Sequence, residues 1–316
     1  MQTISPELVR EAAERIKPLA RRTPVLTSDA LDERAGLSVF LKCENLQQGG
    51  AFKMRGASNL ILSLSPDQLK NGVVAFSSGN HAIATAIAAK HVGAPATIVM
   101  PDDAPRAKTE TVRSLGARIV TYNRLTDDRE AIARCVLDET GGALVPPFDH
   151  PMIMAGQGTA ALELLEEAPN LDALVVCIGG GGLFAGCSTI AKSVKPGIRV
   201  FGVEPEAAND TALSLAAGHR VTIPPPESIA DGLRSPAPGA LTFPVIQKNV
   251  EKVLLVSEAG IRATMRFLLE RLKILVEPSG AASLAPVLLG MLPPEIRSAG
   301  VILSGGNVDL EFLKTL

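Results

Sequence analysis

Tryptophan is absent from the 316 residues, tyrosine occurs once (Tyr122), and aromatic residues make up only 3% of the chain. Proteins that grip single-stranded nucleic acid stack bases on such rings along a basic groove; here the net charge is −2 and no basic run occurs, so nucleic acid is excluded as a partner. Cysteine is scarce too. Cys43, Cys135, Cys177 and Cys187 stand apart without CxxC spacing or a neighbouring histidine cluster, which excludes zinc sites and leaves buried free thiols as the expectation. No run reaches the ~18 uncharged apolar residues of a membrane span. The opening "MQTISPELVREAAERIKPLA" reads as an amphipathic helix with Ser5 as N-cap and Pro6 in the first position rather than as a secretion signal. These absences together point to a protein of the reducing cytoplasm with no membrane partner.

What is present is apolar and finely divided. At 316 residues the chain exceeds one typical core, and a two-lobed fold with a cleft is expected. The short runs "GVVAF", "ATIVM", "ARIVTY", "LVVCI", "RVFGV" and "GVILS" alternate with Ala/Leu-rich segments of helical period, the pattern of an α/β fold with parallel strands and crossover helices. Three runs end in small-residue loops: "VVAFSSGN" (73–80), "LVVCIGGGG" (174–182) and "VILSGGN" (301–307). Open α/β sheets bind ligands beyond the carboxyl ends of their strands, so one crevice is expected to collect all three. A break at 141–152 marks a lobe boundary, and the proline-rich stretch 219–240 reads as a long surface connection near the active site.

The glycines Gly179, Gly180, Gly181 and Gly182 stand between a buried strand and a helix. Backbone N–H groups there can approach an anion closely, and the helix dipole adds positive charge, so phosphate is the expected guest. Gly180, Gly182 and Ala185 also fit GxGxx[GA], with Glu204 at the distance of a ribose-binding acid, which leaves a dinucleotide as the rival guest and an oxidoreductase as the rival function. The stretch "GGAFKMRGA" decides between them. Lys53 lies in a crowded, half-apolar setting where a lysine is pushed toward the neutral, nucleophilic amine. A nicotinamide has no use for it, whereas pyridoxal phosphate needs both a phosphate cradle and a lysine to anchor it.

Six ordered motifs, "KCENLQQGGAFKMRGA", "SSGNHA", "AGQGTAALE", "GGGGLFAG", "EPSGAA" and "LSGGNVDL", resemble the fold type II pyridoxal-phosphate enzymes, specifically the serine/threonine dehydratase and serine racemase group, from about residue 5 onward. The resemblance implies a tryptophan synthase β-like fold: two open, mostly parallel sheets with flanking helices and an active site in the cleft. The expected division is a large cofactor-binding domain of 1–70 and 149–316 and a small domain of 71–148. It further implies that Lys53 carries the cofactor with Phe52 packed beside it, and that Gly179 to Gly182 hold its phosphate. Ser304 would face the pyridine nitrogen. Ser77, Ser78, Gly79, Asn80 and His81 would hold the substrate carboxylate, Asn80 also reaching the cofactor's 3′-oxygen and Ser78 serving as the second-face acid of any racemisation. Glu204, Asp210 and the carbonyl of Ala208 resemble a Mg²⁺ or Ca²⁺ site, consistent with oxygen-only ligation. Gly49 and Ala51 depart from the group, standing where many members have threonine and serine.

The activity so implied is deamination of a small amino acid, L-threonine or L-serine, by a homodimer. A 3-hydroxyaspartate dehydratase and a serine racemase are the alternatives within the group, and a non-catalytic ligand-binding protein on the same fold is the alternative outside it.

Overall fold

The computed structural model describes residues 4–77, 79–104, 106–123 and 126–316. Ten strands form two sheets: β1 (Val25–Leu26), β2 (Ser38–Cys43), β3 (Val73–Phe76), β4 (Ala96–Pro101), β5 (Arg118–Tyr122), β6 (Ala143–Leu144), β7 (Ala173–Cys177), β8 (Arg199–Pro205), β9 (Lys252–Val256) and β10 (Ser298–Leu303). The larger sheet runs β1-β2-β10-β7-β8-β9 and the smaller β5-β4-β3-β6. Every pairing is parallel except that of β1 with β2. The six apolar runs read from the sequence are strands β3, β4, β5, β7, β8 and β10; all but β5, which is the half-exposed edge of the smaller sheet, are the buried centres of the two sheets. The first helix is Pro6–Arg15, with the Ser5 hydroxyl accepting from Leu8 N at 3.3 Å.

Parallel strands place their carboxyl ends, and the loops that follow them, on one side of each sheet. Leu41, Val175, Val203 and Val301 fill the core of the larger sheet, while Val73, Ala75, Ile98 and Met100 fill that of the smaller. Three helices pass behind the site at unusually close range: Lys53–Ile61, Pro151–Glu167 and Gly182–Val194. Glycine permits it. A Cβ on Gly186 would lie 2.0 Å from Met154 O, and one on Gly156 would lie 2.5 Å from Arg55 O. The middle helix therefore touches the backbones of both others, tying the lysine segment to the glycine loop.

A largely buried ionic cluster locks this stack, with Arg55, Glu44 and Lys42 fully enclosed and Glu163 at its edge. Arg55 donates to both oxygens of Glu44 at 2.7 Å, to Glu163 at 2.7 and 2.8 Å and to Thr159 at 3.0 Å. Lys42 on β2 reaches Glu163 at 2.7 Å and Thr23 O at 2.6 Å. Burial alone would raise the Glu44 pKa, but the facing Arg55 charge and its hydrogen bonds hold the carboxyl below the usual range. Removing one member leaves buried charge without a partner. Arg55→Met is therefore expected to lower stability to urea unfolding by roughly 3–5 kcal/mol; a loss below ~1 kcal/mol would show that the cluster is solvated and dispensable.

Candidate active site

The lysine segment is stitched to the loop after β10. Ala51 bridges Gly305, Phe52 N donates to Ser304 O at 3.0 Å, and Gly306 N donates to Gly50 O at 2.9 Å. Lys53 opens its helix immediately afterwards and points back into the cleft, where Nζ donates to Pro147 O at 2.6 Å and lies 5.2 Å from the centre of the Phe52 ring. No carboxylate pairs with it among the described residues. Burial in the pocket wall consequently depresses the ammonium pKa to about 8.

The glycine loop faces it from the larger sheet. Gly181 adopts φ 92°, and a Cβ on Gly180 would lie 2.3 Å from the Phe148 ring. On Gly181 it would meet Thr242 Oγ1 at 2.7 Å, and on Gly179 it would meet Gly232 O at 2.9 Å. Only glycine lets this backbone nest between those walls. The helix Gly182–Val194 starts here, so its first N–H groups, without partners inside the helix, turn toward the pocket. Asp149 holds the opposite rim: its carboxylate accepts from the backbone N–H of Ala240, Leu241 and Thr242, tying the segment before the helix Pro151–Glu167 to the 219–240 connection.

On the smaller-sheet side the loop after β3 leads into the helix Asn80–His91. Asn80 is fixed at both ends, donating to Glu277 Oε1 at 2.6 Å and accepting from Asn307 Nδ2 at 2.8 Å. His81 meets Val145 O through Nε2 at 2.8 Å; burial, followed by the nearby Lys53 charge, lowers its pKa to about 3, so the ring is a neutral donor that anchors the loop. Glu277 is pushed up to about 8, first by burial and then by the Asp231 charge, so this carboxyl holds its proton more tightly than an ordinary one.

Phe52, Lys53, Ser77, Gly79, Asn80, His81, Gly179 to Gly182 and Ser304 thus line a single pocket, fed by all three small-residue loops. Ser304 is buried and its hydroxyl donates to Ser279 O at 3.3 Å, a long contact that leaves it free to turn toward a better acceptor. Ser78 lies outside the described residues. Glu204, Ala208 and Asp210 do not line this pocket and form a separate buried group at the end of β8. Glu204 accepts from the N–H groups of Thr211 and Ala212 at 3.0 and 2.9 Å, whereas both oxygens of buried Asp210 lack a hydrogen-bond partner. Pocket residues not singled out from the sequence include Lys108, Phe148, Asp231 and Glu277. The quoted "EPSGAA" contained Glu277; Lys108 carried no local sign, sitting in an ordinary polar helical stretch.

The chain is similar to known proteins over nearly its whole length. Residues 16–305 match the family described as pyridoxal-phosphate dependent enzyme. The L-threo-3-hydroxyaspartate ammonia-lyase of Saccharomyces cerevisiae is 49% identical over 308 residues, covering 98% of this chain and 94% of that protein. The serine racemase of Schizosaccharomyces pombe is 46% identical over 303 residues, covering 96% and 94%. The structure of maize serine racemase superposes with a TM-score of 0.96 at 43% identity over 99% of this chain and 96% of that one.

Proposed function

Since this chain belongs to the pyridoxal-phosphate dependent enzymes, we propose that it is an ammonia-lyase that eliminates the β-hydroxyl of a small hydroxy amino acid and yields an α-keto acid and ammonia. One observation carries this reading: an amine of lowered proton affinity, a glycine phosphate cradle and a buried hydroxyl, rather than a carboxylate, meet in one pocket. L-Serine, L-threonine and the 3-hydroxyaspartates form the substrate class. The sequence resemblance favours the first two; the ammonium of Lys108 in the pocket favours the third.

When bound, pyridoxal phosphate supplies the electron sink that accepts the bonding pair as the substrate's Cα–H bond breaks. The chain's own groups account for the rest. The N–H groups of Gly179 to Gly182 would hold the phosphate, and Phe52 and Lys53 would fix the position of the ring. Ser304 would face the ring nitrogen, and a hydroxyl there can donate a hydrogen bond without holding the nitrogen protonated as a carboxylate does, which favours loss of a β-leaving group over a long-lived carbanion. Asn80, clamped by Glu277 and Asn307, and the N–H groups at the start of its helix would hold the α-carboxylate. Lys53 Nζ, once free, would take the α-proton; a pKa of about 8 suits a base that works near neutrality. The β-hydroxyl would leave as water, its proton balancing the one Lys53 takes from Cα, and the released enamine would take up water to give keto acid and ammonia.

The expected result is keto-acid formation from at least one member of the substrate class, abolished in Lys53→Ala, with borohydride fixing a pyridoxyl group to the peptide "AFKMR". Label on another lysine, or turnover that survives Lys53→Ala, would contradict the assignment.

Asp210, with Glu204 and the Ala208 carbonyl, would hold Mg²⁺ or Ca²⁺: a desolvated carboxylate without a hydrogen bond is the donor a hard cation satisfies. Chelation is expected to lower the melting temperature and Mg²⁺ or Ca²⁺ to restore it by mass action. A melting curve indifferent to both, in protein free of bound metal, would leave the two acids as structural groups.

A further inference from the structure

The cationic residues lining the pocket, among those described, are Lys53, Lys108 and Arg234, with His81 held neutral. They are not equivalent. Lys53 leans toward the free amine, and Arg234 is exposed and tied through Nε to Ser228 O at 2.6 Å. Lys108 is the enclosed charge. Its side chain is only 11% exposed, and its ammonium lies 3.0 Å from Oδ2 of Asp231, which is 46% exposed. Burial opposes that charge, but Asp231 first, then Glu277 and Asp309, outweigh it and raise the pKa. The bridge also crosses the cleft. Lys108 belongs to the helix Arg106–Ser114 between β4 and β5, and Asp231 to the 219–240 connection between β8 and β9. A Cβ on Gly79 would lie 3.3 Å from Nζ, so the ammonium rests directly against the loop that precedes the helix Asn80–His91.

The α-carboxylate of any amino-acid substrate already has the backbone donors and dipole of that helix start. A further buried ammonium beside the loop is a cost when the β-substituent is neutral, because the cleft then covers an ion pair with no new partner. It becomes an asset when the substrate brings a second carboxylate, which can take a charge-assisted hydrogen bond from the same ammonium. We propose that Lys108 is a specificity residue that reads the β-carboxylate of a dicarboxylic substrate, a 3-hydroxyaspartate, and that Asp231 marks the place this carboxylate takes. The inference rests on the reading of the chain as an ammonia-lyase of β-hydroxy amino acids and names the member of the class that the pocket selects.

L-Aspartate and L-alanine test it without chemistry at the β-carbon, since they differ only in the second carboxylate and neither carries the hydroxyl. Their dissociation constants can be read from the cofactor absorbance of the holoenzyme. Wild type is expected to prefer aspartate, and Lys108→Met to lower the aspartate-to-alanine affinity ratio by about 100-fold. Lys108→Arg should restore most of the ratio. Asp231→Asn should keep or increase it, because the aspartate competes with the ligand for the ammonium. The ratio of kcat/KM for 3-hydroxyaspartate to that for serine should follow the same order.

Were Lys108 only a strut between the two sides of the cleft, Lys108→Met would weaken both ligands alike and leave the ratio unchanged, and Asp231→Asn would weaken both as well; an unchanged ratio in Lys108→Met overturns the proposal. A wild type that binds alanine as well as aspartate overturns it too. Failure of the wild type to form keto acid from every β-hydroxy amino acid would instead remove the proposed function, and the two titrations would still report what Lys108 recognises.

Discussion

Arg55 is fully buried and gives its guanidinium donors to Glu44, Glu163, Thr159 and the carbonyl of Arg21, with Lys42 completing the balance of charge. Two positive and two negative groups, three of them fully buried and Glu163 nearly so, are worth little as net attraction, because their desolvation offsets it, but they are strict about geometry. Any displacement of the lysine segment, of β2 or of the helix Pro151–Glu167 would leave a buried charge unpaired. The segment that presents Lys53 is therefore held from behind by ions and from the front by the hydrogen bonds to the loop after β10.

Lys53 is the deliberate contrast. Two residues from an arginine whose charge is fully compensated stands an amine with a backbone carbonyl as its partner and no counter-ion among the described residues. The same burial that the cluster tolerates at Arg55 is felt in full at Lys53, and the amine loosens its proton. Around it the pocket is electrically divided. Lys108 and Asp231 pair at 3.0 Å across the cleft, burial pushes Glu277 toward its protonated form, and His81 is held neutral against Val145.

Much of this was legible in the sequence, for reasons that are physical. The central strands announce themselves because parallel strands buried on both faces are short apolar runs, and their loops because close backbone approach demands glycine and serine. β2 was less visible, since Lys42 interrupts it with a charge whose burial depends on Glu163 more than a hundred residues away. β9 is an edge strand, and β1 and β6 contribute two residues each, too few for a period. Lys53, Asn80, Gly179 to Gly182 and Ser304 reach the pocket from the quoted motifs, while Lys108, Asp231 and Phe148 arrive from separate elements brought together only by the packing of the two sheets. His150 carried a local message of another kind, capping the start of the helix Pro151–Glu167 with Nδ1 accepting from Met152 N at 3.1 Å.

The central claim is that the fold holds Lys53 as an amine ready to react, and its proton affinity tests this most directly. Reductive methylation of cofactor-free protein across a pH series, read peptide by peptide, follows the neutral amine at each lysine. Because burial favours the neutral form, the Lys53 peptide is expected to reach half-maximal labelling near pH 8, where exposed lysines are still protonated, and to flatten above it. Labelling of Lys53 that rises only with the exposed lysines, near pH ~10.4, would mean that the ammonium is solvated or paired, and the account of the site would fail.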